Sequence, residues 1–331
     1  MRGLAMGKRY YARESESLKL IHVGTLYSIC VILFLLANKL FINLNFYVAN
    51  LTIQFAFILL PAALFLVLFK FDVKKILRLN KIKFKTLIII FFLMVSSMPL
   101  AGVFNLLNQY LVKVIFGEVE LLDIPIENTL PGVMLGFFLV GIAAGICEEV
   151  LFRGIIQRGF ERYGVKKAII ITALLFGLMH FDFQRLFGTF LLGALIGFIA
   201  YRTNSLYSGI FAHFVNNSVA LLTKLYYQKL NEFSMDVEIG ANALPQLENI
   251  PVGDSVVTVV AFIIGFLIAL AFFAGFFILF MVLFIKNTSK TEVDVIEEKE
   301  PVMLKDILVF VPGLLVVVYV YIEQGARLIG L

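Results

Sequence analysis

Long apolar runs are the feature of this sequence that most constrains its fold. A helix that crosses a membrane needs about 20 mostly apolar residues, because the hydrocarbon core is about 30 Å thick and each residue rises about 1.5 Å. Runs of this length lie near 20–37, 47–69, 86–112, 131–152, 255–285 and 306–322, and weaker or glycine-rich runs lie near 168–181, 186–201 and 205–226. The sequence therefore predicts an all-α, polytopic transmembrane helical bundle of eight or nine spans.

The composition agrees with lipid as the solvent. Hydrophobic residues make up 61% of the chain and charged residues only 15%, whereas ordinary soluble domains are about 45–50% apolar and about 25% charged. The net charge is +5, but the basic residues lie between apolar runs, so we expect membrane lipid and no nucleic acid as a partner. Cys30 and Cys147 both lie inside apolar runs, which disfavours a disulfide framework.

Lysine and arginine are concentrated in alternate loops, which sets the expected orientation. Basic residues are dense in the lead 1–19, in 70–85, in 153–167 and at Arg202, whereas the intervening loops are acidic or weakly charged. Because cytoplasmic loops carry an excess of Lys and Arg, we expect a multi-pass protein of the cell membrane with a cytoplasmic N-terminus. The mixture of lysines and apolar residues over 70–85 predicts an amphipathic interfacial helix, with a solvated loop as the alternative.

These features divide the chain into five parts. They are a cytoplasmic lead at 1–19, N-terminal membrane helices with a basic interfacial segment at 20–130, a core at 131–226, an extracytoplasmic loop at 227–254, and C-terminal membrane helices at 255–331 with a polar linker at 286–305.

Ionisable side chains occur inside the apolar runs in one region, in spite of their cost in lipid. A charged residue at the centre of a membrane helix costs about 2.5–3.5 kcal/mol on insertion scales. The run 255–285 has no ionisable residue, whereas 141–217 contains carboxyl, guanidinium, imidazole and amide side chains: Glu148, Glu149, Arg153, His180, His213, Asn216 and Asn217. Ionisable residues at membrane depth are a functional-site hypothesis by default.

Helical spacing groups some of these residues on shared faces. Glu149 and Arg153 are four residues apart, so they share a helix face and can pair, which offsets the cost of burial. His213 and Asn217 are also four residues apart and point the same way from their helix.

The distance of the cluster from the basic loops indicates one common depth. Counted along their helices, Glu148, His180 and His213 lie about 15–18 Å below the same membrane face. Three helices thus deliver a carboxylate and two imidazoles to one level. Each residue alone is explained as well by packing or by a structural ion pair, and it is the combination that favours a site.

With these residues the sequence resembles the CAAX prenyl protease and bacteriocin-processing (CPBP, or ABI) family of intramembrane endopeptidases. The three motifs of that family stand here as Glu148-Glu149-Val150-Leu151-Phe152-Arg153, Phe176-Gly177-Leu178-Met179-His180 and His213-Phe214-Val215-Asn216-Asn217. They occur in the family's order on separate apolar runs, and the resemblance covers about 131–226.

The resemblance implies an all-helical catalytic core with its site in a cavity that opens toward the cytosol. It implies that Glu148 is the general base that activates water and that His180 helps to hold that water. It implies further that His213 and Asn217 donate hydrogen bonds to the developing oxyanion, which is a strong form of transition-state stabilisation.

The same resemblance gives Glu149 and Arg153 the role of shaping the site, and it places Phe176 near the site. The implied substrate is a membrane-associated peptide or a lipidated protein. No cofactor is implied by this mechanism.

Three other functions stay open from the sequence. Three Glu and His ligands would be enough to hold a catalytic zinc, so a metal-dependent intramembrane protease is one alternative, although the HExxH arrangement is absent. A transporter whose buried side chains relay protons is a second, although we see no inverted repeat. A regulatory scaffold that recruits partners without turnover is the third.

Overall fold

The computed structural model describes residues 18–41, 43–120, 125–236, 256–289 and 301–331. These residues form helices and turns without a β-strand among them, which confirms the predicted all-α class. The helices are α1 (Leu20–Leu40), α2 (Phe46–Leu68), α3 (Val73–Ile76), α4 (Phe84–Phe116), α5 (Leu130–Glu161), α6 (Val165–Met179), α7 (Leu186–Thr203), α8 (Leu206–Asp236), α9 (Val256–Asn287), α10 (Leu304–Leu308) and α11 (Val311–Leu328).

Two of the long helices contain wider, π-helical turns. Helix α2 has one at Ile53–Leu59, and α5 has two, at Phe137–Ala143 and Val150–Ile156. Such turns rotate the following side chains relative to a regular α-helix, and they are frequent at functional sites.

Seven segments within the described part of the chain are long and apolar enough to cross a membrane. They are α1, α2, α4, α5, α7 with the turn before it, α9, and α10 together with α11. The predicted count of eight or nine is therefore not confirmed. Helix α6 has 15 residues and reaches about 22 Å, and α8 interrupts its apolar sequence with His213, Asn216 and Asn217.

Hydrogen bonds between loops define one end of the bundle, which we call the basic face because it carries the lysine-rich segment 70–85. Asn80 donates to the carbonyl of Asn204 at 2.7 Å, and Asn287 donates to the hydroxyl of Thr86 at 2.8 Å. Arg78, in the same segment, is paired with Glu161 at the end of α5 at 2.7 Å. The C-terminal ends of α2, α5, α7 and α9 and the N-terminal ends of α4, α6 and α8 thus lie together.

The other end of the bundle, called here the opposite face, has its own connections. Asn108 of α4 donates to the carbonyl of Phe183 at 3.0 Å, and Gln184 donates to the carbonyl of Glu120 at 2.6 Å. The turn 180–185 between α6 and α7 therefore lies beside the far end of α4, many turns away from the basic face.

The predicted amphipathic helix over 70–85 is wrong in extent, because only the single turn α3 and the first two residues of α4 are helical there. Lys70 and Arg78 adopt positive φ angles of 55° and 50°, which end helical geometry on both sides of α3. Arg78 forms a double hydrogen bond with the Glu161 carboxylate, at 2.8 and 2.7 Å. The apolar side chains of the segment turn into the protein core instead of lying along a membrane surface: Phe71, Ile76 and Leu77.

Some predicted parts lie wholly or partly outside the described residues. Residues 1–17 of the lead, 237–254 of the predicted loop and 290–300 of the predicted linker are outside them. Helix α8 continues to Asp236, past the boundary predicted at 226, and α9 ends at Asn287.

Candidate active site

The predicted site residues converge on one cavity of about 820 Å³ inside the bundle. Its walls include Glu148 from α5, His180 from the end of α6, and His213 and Asn217 from α8. The structure therefore brings together the four side chains to which the resemblance gives chemical roles. The common depth of these side chains was predicted from helical spacing alone, and their convergence on one cavity agrees with that prediction.

Glu149 and Arg153 lie behind the cavity wall and not in the cavity. The Arg153 guanidinium donates to Oε1 of Glu149 at 2.7 Å, as the spacing predicts, and to the carbonyl of Gly193 at 2.9 Å. The Glu149 side chain is 0% exposed and that of Arg153 is 1% exposed. A buried pair of this kind is a rigid element of the wall, because neither charge can be left without the other.

His213 connects this buried pair to the cavity. Its Nδ1 lies 2.8 Å from Oε1 of Glu149, and its Nε2 lies 4.0 Å from Oε2 of Glu148. A carboxylate only accepts hydrogen bonds, so Nδ1 carries a proton. Nε2 is then the ring atom that faces the cavity.

Glu148 is oriented by a neighbour from a different helix. Gln54, in the π-helical turn of α2, donates from Nε2 to Oε1 of Glu148 at 2.8 Å. The Glu148 side chain is 14% exposed, in contrast to its fully buried neighbour Glu149. Successive residues of a helix point about 100° apart, which is why one glutamate faces the cavity and the next faces the wall.

Gln54 is the site residue that the sequence reasoning missed. Its side chain is buried, and it lines the same cavity. The available signal was an amide inside the apolar run 47–69, but nothing in the sequence says which distant residue that amide meets.

His180 lies at the C-terminal end of α6. Its Nδ1 lies 2.8 Å from the carbonyl of Phe176. The carbonyl accepts, so Nδ1 is the protonated nitrogen and Nε2 presents a lone pair when the ring is neutral. The helix ends here because Phe181 takes a positive φ of 52°.

Phe176 holds the aromatic and charged groups of the site together. Its ring lies 4.6 Å from the His180 ring and 5.9 Å from the His213 ring. The Arg153 guanidinium stacks on it at 4.6 Å from the ring centre, and Phe152 packs edge-on at 5.1 Å. This ring therefore fixes the relative positions of both imidazoles.

Asn217 is tethered by its side-chain amide. Its Nδ2 donates to the carbonyl of Val140 at 2.8 Å, and its Oδ1 accepts from Asn216 at 3.0 Å. A carboxamide nitrogen has two hydrogens, so this tether uses one and fixes the direction of the other.

The turn at the opposite face carries a buried acid. Asp182 accepts from the backbone of Gln184 at 3.0 Å and lies 3.3 Å from the Arg185 guanidinium. Burial raises the pKa of the Asp182 carboxyl, and the Arg185 charge opposes that rise. The turn that positions His180 thus depends on polar contacts inside the protein.

Among the described residues, no three His, Cys, Asp or Glu side chains are grouped so that they could hold a metal ion. No step of the proposed reaction is therefore routed through a metal.

The fold and the cavity define a multi-pass membrane protein with a buried Glu–His site. In comparisons with known proteins, residues 130–219 match the family model described as Type II CAAX prenyl endopeptidase Rce1-like. The match contains all six predicted site residues, so it confirms the resemblance of this core to the CAAX protease family. The comparisons found no matching curated protein and no matching solved structure.

The match with this family supports a hydrolase, a protease of the CAAX type, that works on proteins or peptides in a lipid environment. The apolar helices support the same multi-pass membrane location.

Proposed function

We propose that the chain is an intramembrane endopeptidase in which Glu148 activates a water molecule. The proposal rests on the observation that the two adjacent glutamates have different environments. Glu149 is bound on its Oε1 by Arg153 and His213 and has no access to the cavity. Glu148 faces the cavity, with one oxygen fixed by Gln54 and the other directed toward His213.

The proposed reaction gives each of these groups one role. Water held between Glu148 and Nε2 of His180 gives a proton to the carboxylate while its oxygen attacks the carbonyl carbon of the scissile peptide bond. The carbonyl π electrons move to oxygen and form a tetrahedral oxyanion. When the C–N bond breaks, the proton on Glu148 passes to the amine that leaves, and a carboxylic acid and an amine are the products.

The developing oxyanion needs donors on the side of α8. The free hydrogen of the Asn217 amide is one donor. His213 donates from Nε2 only as an imidazolium, because Nδ1 already carries a proton for Glu149. The Glu149 carboxylate stabilises that imidazolium, which gives the buried acid a function beyond its ion pair with Arg153.

The substrate class proposed is a membrane-associated peptide or a lipidated protein, and no cofactor takes part. The cavity suits an extended chain segment, because about 820 Å³ lies within the range of typical ligand sites, about 300–1,000 Å³.

The experiment that tests this proposal replaces Glu148 by Gln, which keeps the shape and still accepts the hydrogen bond of Gln54. Loss of a general base lowers the rate by about 10²–10⁴-fold. We would compare the termini of membrane-associated peptides in cells that carry the parent chain or Glu148→Gln. The matched control is Glu118→Gln, at an exposed glutamate that does not line the cavity. Unchanged cleavage in Glu148→Gln would refute the proposed role.

A further inference from the structure

The turn 180–185, which begins at His180, is held by two helices that lie outside the matched core, residues 130–219. These helices are α4 and α11. Each of them directs one buried carboxamide at the turn, Asn108 from α4 and Gln324 from α11. Their side chains belong to residues that are only 5% and 8% exposed. We call this pair of residues the amide clamp.

Gln324 binds the first part of the turn with both ends of its side-chain amide. Its Nε2 donates to the carbonyl of Phe181, the residue directly after His180. Its Oε1 accepts a long hydrogen bond, at 3.5 Å, from the backbone N–H of Phe183. Because a carbonyl only accepts and a backbone N–H only donates, these two contacts leave one orientation for the carboxamide.

Asn108 binds the second part of the turn in the same way. Its Nδ2 donates to the carbonyl of Phe183 at 3.0 Å, and its Oδ1 accepts from the backbone N–H of Phe187 at 2.9 Å. The main chain of Phe183 is therefore held on both sides, since its N–H faces Gln324 and its carbonyl faces Asn108.

The same two helices also hold the Phe183 ring. It lies 5.4 Å from the ring of Phe116 in α4 and 5.5 Å from the ring of Tyr321 in α11. Phe116 lies about two turns after Asn108, and Tyr321 lies about one turn before Gln324. Each helix thus contributes one amide and one aromatic ring to the turn.

The backbone at Phe181 shows why the turn needs this support. Its φ angle is 52°, a value that bulky residues rarely adopt and that persists only where the surrounding structure fixes it. His180 is joined directly to Phe181, and its own ring is tied only to the preceding turn of α6, through the carbonyl of Phe176 at 2.8 Å. A change in the conformation of Phe181 would therefore move the His180 ring.

We propose that the amide clamp is a positioning device for His180. Neither Asn108 nor Gln324 lines the cavity, so both act through the turn between them and the imidazole. The inference rests on the proposed protease function, in which His180 helps to hold the attacking water. It extends that function beyond the matched core, because the catalytic unit of this chain then includes α4 and α11.

The test uses Gln324→Leu and Asn108→Leu, which keep an approximately similar side-chain volume and remove the hydrogen bonds to the turn. The matched control is Ser28→Ala. Ser28 is also buried, and its hydroxyl donates to the carbonyl of Val309 at 2.7 Å, just before α11 begins. This control loosens the other end of α11 without touching the turn 180–185.

Hydrogen–deuterium exchange of the detergent-solubilised protein measures the turn without relying on catalysis. The backbone N–H groups of Phe183 and Phe187 donate to the clamp. We expect peptides that cover 181–187 to exchange about 2–10-fold faster in the clamp variants than in the parent, as the loss of a net hydrogen bond implies. The same peptides should exchange at the parent rate in Ser28→Ala.

Activity is measured per folded protein with a synthetic peptide that spans a cleavage site found by comparing peptide termini in parent and Glu148→Gln cells. A misplacement of about 1 Å at a site can cost about 10²-fold in rate. We expect kcat to fall by about 10–100-fold in the clamp variants, with KM nearly unchanged, as for a group that acts in the transition state. Ser28→Ala should keep the parent kcat. In a His180→Ala background, Gln324→Leu should cause no further loss.

Three results would overturn the inference. Unchanged exchange in both clamp variants would mean that the turn does not depend on the clamp. Faster exchange with the parent kcat would mean that the clamp has only a structural role. An equal loss of kcat with and without the His180 imidazole would mean that the clamp acts through another group.

A failure of the protease proposal is distinct from these results. It would be unchanged peptide termini in Glu148→Gln cells, and the exchange measurement would still decide whether the clamp holds the turn.

Discussion

Breaking the ion pair behind the cavity wall should cost more stability than removing the pair altogether. Glu149 and Arg153 are both buried, and each would be left as an uncompensated charge if its partner were lost. The perturbation we consider is a double-mutant cycle of Arg153→Met, Glu149→Gln and the double variant. Met is similar in length to Arg, and Gln has the shape of Glu.

The structure sets the expected magnitudes. Removing one partner of a buried pair costs about 3–5 kcal/mol. For Arg153→Met we expect the lower part of that range, because Nδ1 of His213 still donates a hydrogen bond to the carboxylate at 2.8 Å. The double variant has no buried charge to compensate and loses chiefly the hydrogen bond to the Gly193 carbonyl. Its expected cost is about 1–3 kcal/mol.

The assay uses the two native cysteines as reporters of unfolding. The chain has no Trp, so intrinsic tryptophan fluorescence is not available as a signal. Cys30 and Cys147 are fully buried and react with a thiol-specific dye only when the fold opens. Titration of the detergent-solubilised protein with a denaturing detergent then gives the free energy of unfolding of each variant.

The decisive comparison is between the free energy of unfolding of the double variant and that of each single variant. We expect the double variant to be more stable than either one. If the loss of unfolding free energy in the double variant were the sum of the losses in the two single variants, the pair would not be energetically coupled. If both single variants were as stable as the parent, the buried pair itself would be refuted.

Two further substitutions test other contacts of the site. Gly209→Ala should destabilise the protein by about 1–3 kcal/mol, since an added Cβ would lie 2.9 Å from Oε2 of Glu149. The control is Gly102→Ala, whose added Cβ meets nothing within 4 Å. Equal losses of stability in the two variants would contradict this packing. Gln54→Leu should lower kcat about 10-fold or more, because it removes a hydrogen bond to a charged group worth about 1.5–3 kcal/mol. Gln54→Asn should not restore kcat, because the shorter Asn side chain does not reach Glu148. A purely structural role for Gln54 would instead lower the amount of folded protein at unchanged kcat.

Much of the site was predictable because helical spacing converts sequence into geometry. The pairing of Glu149 with Arg153 follows from a separation of four residues, and the structure shows it at 2.7 Å. The shared depth of Glu148, His180 and His213 follows from counting residues from the basic loops. These inferences use one helix at a time, which is what a single sequence describes best.

Contacts between helices were not predictable in the same way. Gln54 reaches Glu148 across 94 residues of sequence, and no local pattern links the two. The segment 70–85 was misjudged for a similar reason. Its alternation of lysines with apolar residues suits a membrane surface, but in the structure Phe71 and Leu77 pack into the protein, and Arg78 finds its partner in Glu161.

The two adjacent glutamates show how one helix serves both structure and chemistry. A rotation of about 100° per residue prevents Glu148 and Glu149 from entering the same cavity, so Glu148 faces the cavity and Glu149 stays in the wall. His213 touches the wall acid at 2.8 Å and approaches the cavity acid at 4.0 Å, which couples the two. In the proposed mechanism the rigid wall therefore sets the orientation of the imidazole, and Gln54 fixes one oxygen of the carboxylate that activates water.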